Sequence, residues 1–262
     1  MEGYINEILS FHEVKGKANT PALTSLFDIQ NSAALDENKR TQFHSIVAKL
    51  LYLAKRVRPD ILTTVSFLAT RVTKSTEEDW KKLDRLLRYL NYDPVSGIVL
   101  RPGDGDIHLT AYADASYGVH EDGKSHSGLC IALGDGPIFV RSSKQKIVSK
   151  SSTEAELISL SDGCSQIIWS RDFLIGQGYE LPATVVYQDN KSTMSLIDKG
   201  RSTSERTRHI NVRYYFIKDR VDSGEIHIQH MPTDDMTADI LTKPLVGSQF
   251  RRLKTKLLNW YF

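Results

Sequence analysis

Hydrophobic positions along this chain follow one rhythm up to about residue 98 and another beyond it. In the first stretch Phe43, Ile46, Val47, Leu50, Leu51 and Leu53 recur at helical spacing and mark the buried face of a helix. That helix ends in KRVRPDI, where Pro59 opens a second one. A third begins at Ser75 or Thr76: Glu77, Glu78 and Asp79 fill its first turn, where the helix dipole favours acids, and Leu83, Leu86, Leu87 and Leu90 form its apolar stripe. NYDPVSG is a turn-rich exit, and residues 1–38, polar and broken by Pro21, read as an irregular lead-in.

From residue 98 the runs IVL, DIHLTAYAD, GLCIALG, PIFVRS and KIVS are short, rich in β-formers and separated by Gly, Pro and Asp. They predict three or four antiparallel strands between 98 and 149. A long helix over 153–176, a strand TVVYQ, helices over 190–199 and 204–223, a strand EIHIQH and a last helix over 233–243 follow. Strands first, then helices alternating with strands, predict an α/β mixed sheet with helices on its faces, preceded by a mostly helical segment over 1–100. Residues 247–262 read as a C-terminal tail.

Composition narrows this little. With 262 residues, 40% hydrophobic and 25% charged, the chain fits an ordinary globular protein of one or two domains. Cys130 and Cys164 lie in apolar runs and are expected as buried thiols of a reducing, intracellular compartment. No uncharged apolar run reaches the roughly 18 residues a membrane span needs, so no membrane partner is expected. A net charge of +2 confines any nucleic-acid contact to local stripes of Lys and Arg.

The candidate chemistry rests on four carboxylates drawn from distant parts of the chain: Asp114, Glu156, Asp189 and Asp239. Two Mg²⁺ ions about 3.5 to 4 Å apart need shared anionic oxygens of this kind. Each residue also has a plainer reading. Asp114 ends the strand IHLTAYA, where an acid often forms a turn. Glu154 and Glu156 both sit near a helix start. At 100° per residue Glu156 projects within about 40° of Leu160, along the buried face, whereas Glu154 lies about 120° away and is expected in solvent. Asp189 closes TVVYQ, where it is either a helix N-cap or a ligand at a strand end. Asp234 and Asp235 suit a first turn capped by Thr233, but a mid-helix Asp239 has no propensity reason to be there.

A stripe of Arg206, His209, Arg213 and Arg220 runs along the helix SERTRHINVRYYFIKDRV, either as its solvated face or as a contact for phosphates. Lys144, Lys146 and Lys150 are a second possible phosphate rail.

The strings TAYADASYG, SSTEAELISL, QDNKSTMSL, RHINVRYYFIKDRV and HMPTDDMTADILTKPL, in this order, resemble the ribonuclease H domain of copia-type retrotransposon polyproteins. FHSIVAKLLYLAKRVRPDILTTVSFLA and WKKLDRLLRYL are similar to the thumb-like and connecting helices before it. The resemblance implies a ribonuclease H-like mixed five-stranded sheet over 101–246. It also implies Asp114, Glu156, Asp189 and Asp239 as ligands of two Mg²⁺ ions, with Mn²⁺ accepted in their place. His230 would assist product release or position water, and Ser116 would touch the substrate backbone. The implied substrate is an RNA/DNA hybrid, cut in its RNA strand. The implied partner is the palm and fingers of a polymerase, in cis or in trans, in a cytoplasmic virus-like particle or the nucleus. The Met1 start inside the family pattern suggests a fragment, a decayed copy or an expression boundary, and if the helices of 1–100 pack mainly against a missing palm they are expected to show low protection in hydrogen exchange while 105–245 stay protected. No Tyr-x-Asp-Asp turn occurs, so no polymerase activity is expected. The alternative is a non-catalytic structural or nucleic-acid-binding remnant; an integrase-type reading is disfavoured by the lack of an amino-terminal His and Cys zinc pattern.

Overall fold

The computed structural model describes residues 1–101, 107–199 and 208–259. Its first part is helical: α1 (Glu2–Ser10), α2 (Glu37–Arg56), a 3-10 turn at Pro59–Ile61, α3 (Leu62–Ala69) and α4 (Glu77–Tyr92). Local signals fix the boundaries. Asp36 accepts the Lys39 N–H at the start of α2, and Thr76 and Asp79 form a reciprocal capping box on α4. The lead-in is not wholly irregular, because Ile5 and Ile8 of α1 are buried against the helices that follow.

Five strands make one mixed sheet: β1 (Leu109–Ser116), β2 (His126–Leu133), β3 (Gly136–Lys144), β4 (Thr184–Gln188) and β5 (Ile226–His230), in the order β3-β2-β1-β4-β5. β1, β2 and β3 pair antiparallel, while β4 joins β1 and β5 joins β4 in parallel. Helices α5 (Ser152–Gly176), α6 (Lys191–Lys199) and α7 (Arg208–Asp222) connect the later strands. This is the expected α/β arrangement, a mixed five-stranded sheet with flanking helices and three strands in its antiparallel part. The helix expected from residue 204 is described only from Arg208.

Two cores flank the sheet. On one face Leu109, Ala111 and Ala113 meet Leu157, Leu160, Cys164 and Ile167 of α5 and Tyr214 and Ile217 of α7. On the other, Cys130 and Val140 join α2, α3 and α4 together with α8 (Gly247–Leu258). The condition of helices resting mainly on a missing palm is not met among the described residues, because the first 100 residues share this core with the sheet. Thr63 Oγ1 donates to the Ile240 carbonyl at 2.7 Å, and Ser66 Oγ to the Ser142 carbonyl at 2.6 Å.

Two other expectations change. Residues 247–258, expected as a tail, form a helix because Phe250, Leu253 and Leu257 recur on one face and are buried. The last helix, expected over 233–243, is instead two 3-10 turns, Thr233–Asp235 and Thr237–Leu241, separated by Met236 in an extended conformation. Burial of Met236, Ala238, Ile240 and Leu241 holds this tighter path, and Pro244 cannot supply an N–H to prolong a helix.

Cys130 and Cys164 are buried free thiols, and burial pushes both up to about 12. No described helix is long and apolar enough to cross a membrane.

Candidate active site

Strand alternation sends Ala111 and Ala113 into the α5 core and leaves Asp114 and Ser116 on the other face. Across the ladder from Asp114 stands Gly128. A Cβ there would lie 2.7 Å from the Thr242 methyl, 2.9 Å from Leu241 Cβ and 3.0 Å from the Ala238 carbonyl. Glycine thus lets the Thr237–Leu241 turn lie directly on the sheet. The turn brings Asp239 and Lys243 alongside Asp114, whose Oδ2 accepts a hydrogen bond from the Thr242 hydroxyl.

Helix α5 delivers Glu156. Ser151 caps the helix by accepting from the Glu154 N–H, and Ser159 ties it to β1 by donating to the Asp114 carbonyl at 2.8 Å. The Ala115 N–H donates to the Glu156 carboxylate. Glu154, expected in solvent, is buried and folds back to accept the Lys150 N–H at 2.9 Å. It closes the helix start, so Glu156 alone of the two faces the site.

Asp189 follows the last residue of β4, and the alternative reading of it as a helix cap falls away. Asn190 takes that role, accepting the Thr193 N–H at 3.0 Å. The turn is held by Gln188, which is fully buried. Its side-chain oxygen accepts from the N–H groups of Asp189 (2.9 Å) and Asn190 (3.1 Å), while its amide nitrogen donates to Glu156 Oε2 at 3.3 Å. Thr233, expected to cap a helix, donates its hydroxyl to Asp189 Oδ2 at 2.8 Å.

Asp114, Glu156 and Asp189 each present an oxygen, and these oxygens all lie within 4.8 Å of one another. Crowding of like charge in a buried setting has electrostatic consequences. Burial, then Asp114 and Asp189, push the Glu156 carboxyl well above the usual carboxylate range. Burial and Asp114 likewise raise Asp239 to about 7, against the opposing pull of Lys243. Lys243 Nζ lies 2.7 Å from Asp239 Oδ1 and 3.5 Å from Asp114 Oδ2. Burial would lower this ammonium, but Asp114 and Asp239 outweigh it and hold it charged.

The remaining candidates are placed less closely. His230 is exposed at the end of β5, in register with Gln188 and so one residue across from Asp189. Ser116 is buried at the end of β1. Arg213 is paired with Asp162 of α5, and Arg220 with Asp219 and Glu225. Lys144 pairs with Asp122 at 2.8 Å, while Lys146 and Lys150 are exposed. Arg206 lies outside the described residues, as does the side chain of His209.

Four residues of the site carried no weight in the sequence reading: Gly128, Gln188, Thr242 and Lys243. Lys243 follows Asp239 by four positions, a spacing that could have drawn notice. Gln188 and Thr242 offered no signal, since their partners are set by tertiary contact.

No protein-family model matches the chain. Among curated proteins it is 37% identical over 219 residues to the retrovirus-related Pol polyprotein from transposon RE2 of Arabidopsis thaliana, and 38% to that from transposon RE1 of the same plant. Each alignment covers 83% of this chain, which spans about 15% of the length of either relative. Among solved structures, LC11-RNase H1 in complex with RNA/DNA hybrid is 14% identical with a TM-score of 0.39, covering 51% of this chain and 93% of that one.

Proposed function

We propose that this chain, which is homologous to one segment of copia-type retrotransposon Pol polyproteins, is a divalent-metal-dependent ribonuclease H that hydrolyses the RNA strand of RNA/DNA hybrids. The observation that carries the reading is the convergence of Asp114, Glu156 and Asp189 within 4.8 Å, with Asp239 beside them. Four clustered carboxylates, with Glu156 held from outside by Gln188, Asp189 by Thr233 and Asp114 by Thr242, make a set of hard oxygen donors suited to Mg²⁺ or Mn²⁺. Asp114, Glu156 and Asp189 would hold one ion, and Asp114 with Asp239 would hold a second. When bound, such ions supply an activated water and neutralise charge developing on the leaving oxygen.

The chain's own groups do the rest. Asp114 is shared by both halves of the site and needs a fixed orientation, which Thr242 gives it. Gln188 keeps Glu156 and the Asp189 turn in one frame. His230, exposed beside that turn, would help to release product or position water. Ser116, Arg206, His209 and Arg213 are proposed backbone contacts, Arg213 after release from Asp162. Selection of RNA would rest on 2′-OH contacts and hybrid shape, with weak base preference.

On this reading residues 101–246 form the nuclease and 1–100 a thumb-like or connecting segment. The polymerase palm and fingers would be supplied in cis or in trans, in an intracellular particle or the nucleus. The test is cleavage of a labelled RNA/DNA hybrid in Mg²⁺, beside matched RNA/RNA and DNA/DNA duplexes and the Asp189→Asn variant. Cutting confined to the hybrid's RNA strand and lost in the variant is the expected result. A hybrid that is bound and left intact would overturn the enzymatic reading in favour of a binding module.

A further inference from the structure

We infer that Lys243 is a resident cation of the site, holding with its ammonium the ground between Asp114 and Asp239, so that metals load in order. Asp114, Glu156 and Asp189 would hold the first ion, and Asp239 would be free to hold a second only when Lys243 swings aside, a movement that a substrate phosphate would favour by taking up the ammonium. This inference rests on the metal-dependent reading above.

The geometry is that of a counter-ion. The Asp114 and Asp239 side chains are each 1% exposed, yet Lys243, which bridges them at 3.5 and 2.7 Å, is 33% exposed. Its charged end is therefore inside the carboxylate cluster while part of its stem borders solvent. Among the described residues, Lys243 is the cation found in ion pairs with Asp114 and Asp239. Among those residues Glu156 and Asp189 form no ion pair; Glu156 accepts from Gln188 and the Ala115 N–H, Asp189 accepts from Thr233, and Lys243 acts on Asp189 only from a longer range.

Backbone contacts hold Lys243 at this position. Its N–H donates to the Asp239 carbonyl at 2.8 Å, an α-type turn that follows the 3-10 segment, and Thr242 before it is anchored to Asp114. The side chain borders a narrow crevice with Pro21, Ala22, Asp60, Thr63, Pro244 and Leu245, so its stem lies on partly apolar ground. A lysine suits the movement aside: it is a compact point charge on a flexible stem, able to exchange a carboxylate for a phosphate oxygen without the fixed fork geometry of arginine.

The test counts bound Mn²⁺ by electron paramagnetic resonance on the whole chain. Wild type, Lys243→Met, Lys243→Gln, Lys243→Arg and Asp114→Asn are titrated without nucleic acid. The wild type is expected to bind one ion tightly and a second weakly. Lys243→Met should tighten the second by about tenfold or more, the scale on which an opposite charge at this range alters a carboxylate's proton affinity. Lys243→Gln, which can still donate to Asp239 but carries no charge, should behave like Lys243→Met, and Lys243→Arg like the wild type. Circular dichroism and thermal melting of each variant confirm the fold; Lys243→Gln keeps the test available if Lys243→Met does not fold.

Identical isotherms for wild type and both neutral variants would overturn the role of Lys243. If Asp114→Asn still abolishes binding in that case, the metal centre itself stands. Absence of bound Mn²⁺ from every form would overturn both readings.

Discussion

Gly128 on β2 and Thr242 after the second 3-10 turn are in direct apposition: a methyl group on Gly128 would lie 2.7 Å from the Thr242 Cγ2. The contact is where the sheet receives the turn that carries Asp239. Gly128→Ala is expected to push the turn off the sheet and cost about 1–3 kcal/mol, the usual penalty for overpacking a closed contact. Urea unfolding should show the loss, and hybrid cleavage should fall more steeply than stability, because Asp239 and Thr242 move together.

Gln188 touches three backbone or side-chain groups of the site without being a carboxylate. Gln188→Leu keeps the volume and removes the bonds. Mn²⁺ affinity is expected to drop by about 10–100-fold, as for other residues that orient metal ligands from outside. Calorimetric titration of the folded variant would measure it.

Metal binding should release protons. Asp239 titrates at about 7 and Glu156 is raised well above the ordinary range, so below neutral pH both enter the metal-bound state by losing a proton. Mn²⁺ affinity should therefore rise with pH through this range. Calorimetry at pH 6.5 in two buffers of different ionisation enthalpy should give different apparent heats, whose difference counts the protons released.

His120 and His126 make the stability of the fold itself depend on pH. Their rings are linked at 3.0 Å, and His126 also contacts the Ser142 hydroxyl at 2.7 Å. Burial, with Lys144 adding to it, lowers His120 to about 4; burial and His120 lower His126 to about 3. An unfolded histidine titrates near 6.5, so between that pH and about 3 to 4 the unfolded chain binds more protons. The stabilising contribution is complete above 6.5 and declines as pH falls. Because Asp239 and Glu156 act oppositely in an overlapping window, the readout is a difference. The stability of the wild type minus that of His126→Gln should be larger at pH 7.5 than at pH 4.5.

The helical segment has its own buried polar unit. Arg58 and Asp60 are fully buried and paired through two hydrogen bonds of 2.9 Å, and Tyr89 donates to Asp60 at 2.6 Å. Arg58→Met would strand the Asp60 charge and is expected to destabilise the chain by about 3–5 kcal/mol. Adding Asp60→Leu should recover part of the loss, which a double-mutant cycle would measure.

Much of this architecture is legible in the sequence because periodicity reports burial. The strand TVVYQ and the capped helix beginning after Thr76 are found where their residues predict them. The four carboxylates are legible for a related reason, since each stands at an element boundary or without local purpose. What stays hidden depends on apposition. Nothing near Gly128 announces that a turn more than 100 positions away needs the space its missing Cβ leaves. Glu154 and Glu156 can be separated by helical angle, but that Glu154 curls back to a backbone N–H is a choice made by the folded helix start. The last segment read as a helix because TDDMTADIL has suitable residues, and only the demand for four buried side chains within six positions tightens it into 3-10 turns.

The amino-terminal helices and α8 close over the same sheet face. Val99 N–H donates to the Leu258 carbonyl at 2.8 Å, and Lys254 pairs with Asp93. A cut near residue 100 would therefore not free an intact domain: it would uncover Cys130, Val140, Ile240 and Leu241, the last two in the turn that carries Asp239. Packing runs across that boundary, so the placement of Asp239 beside Asp114 depends on helices that lie outside the carboxylate cluster.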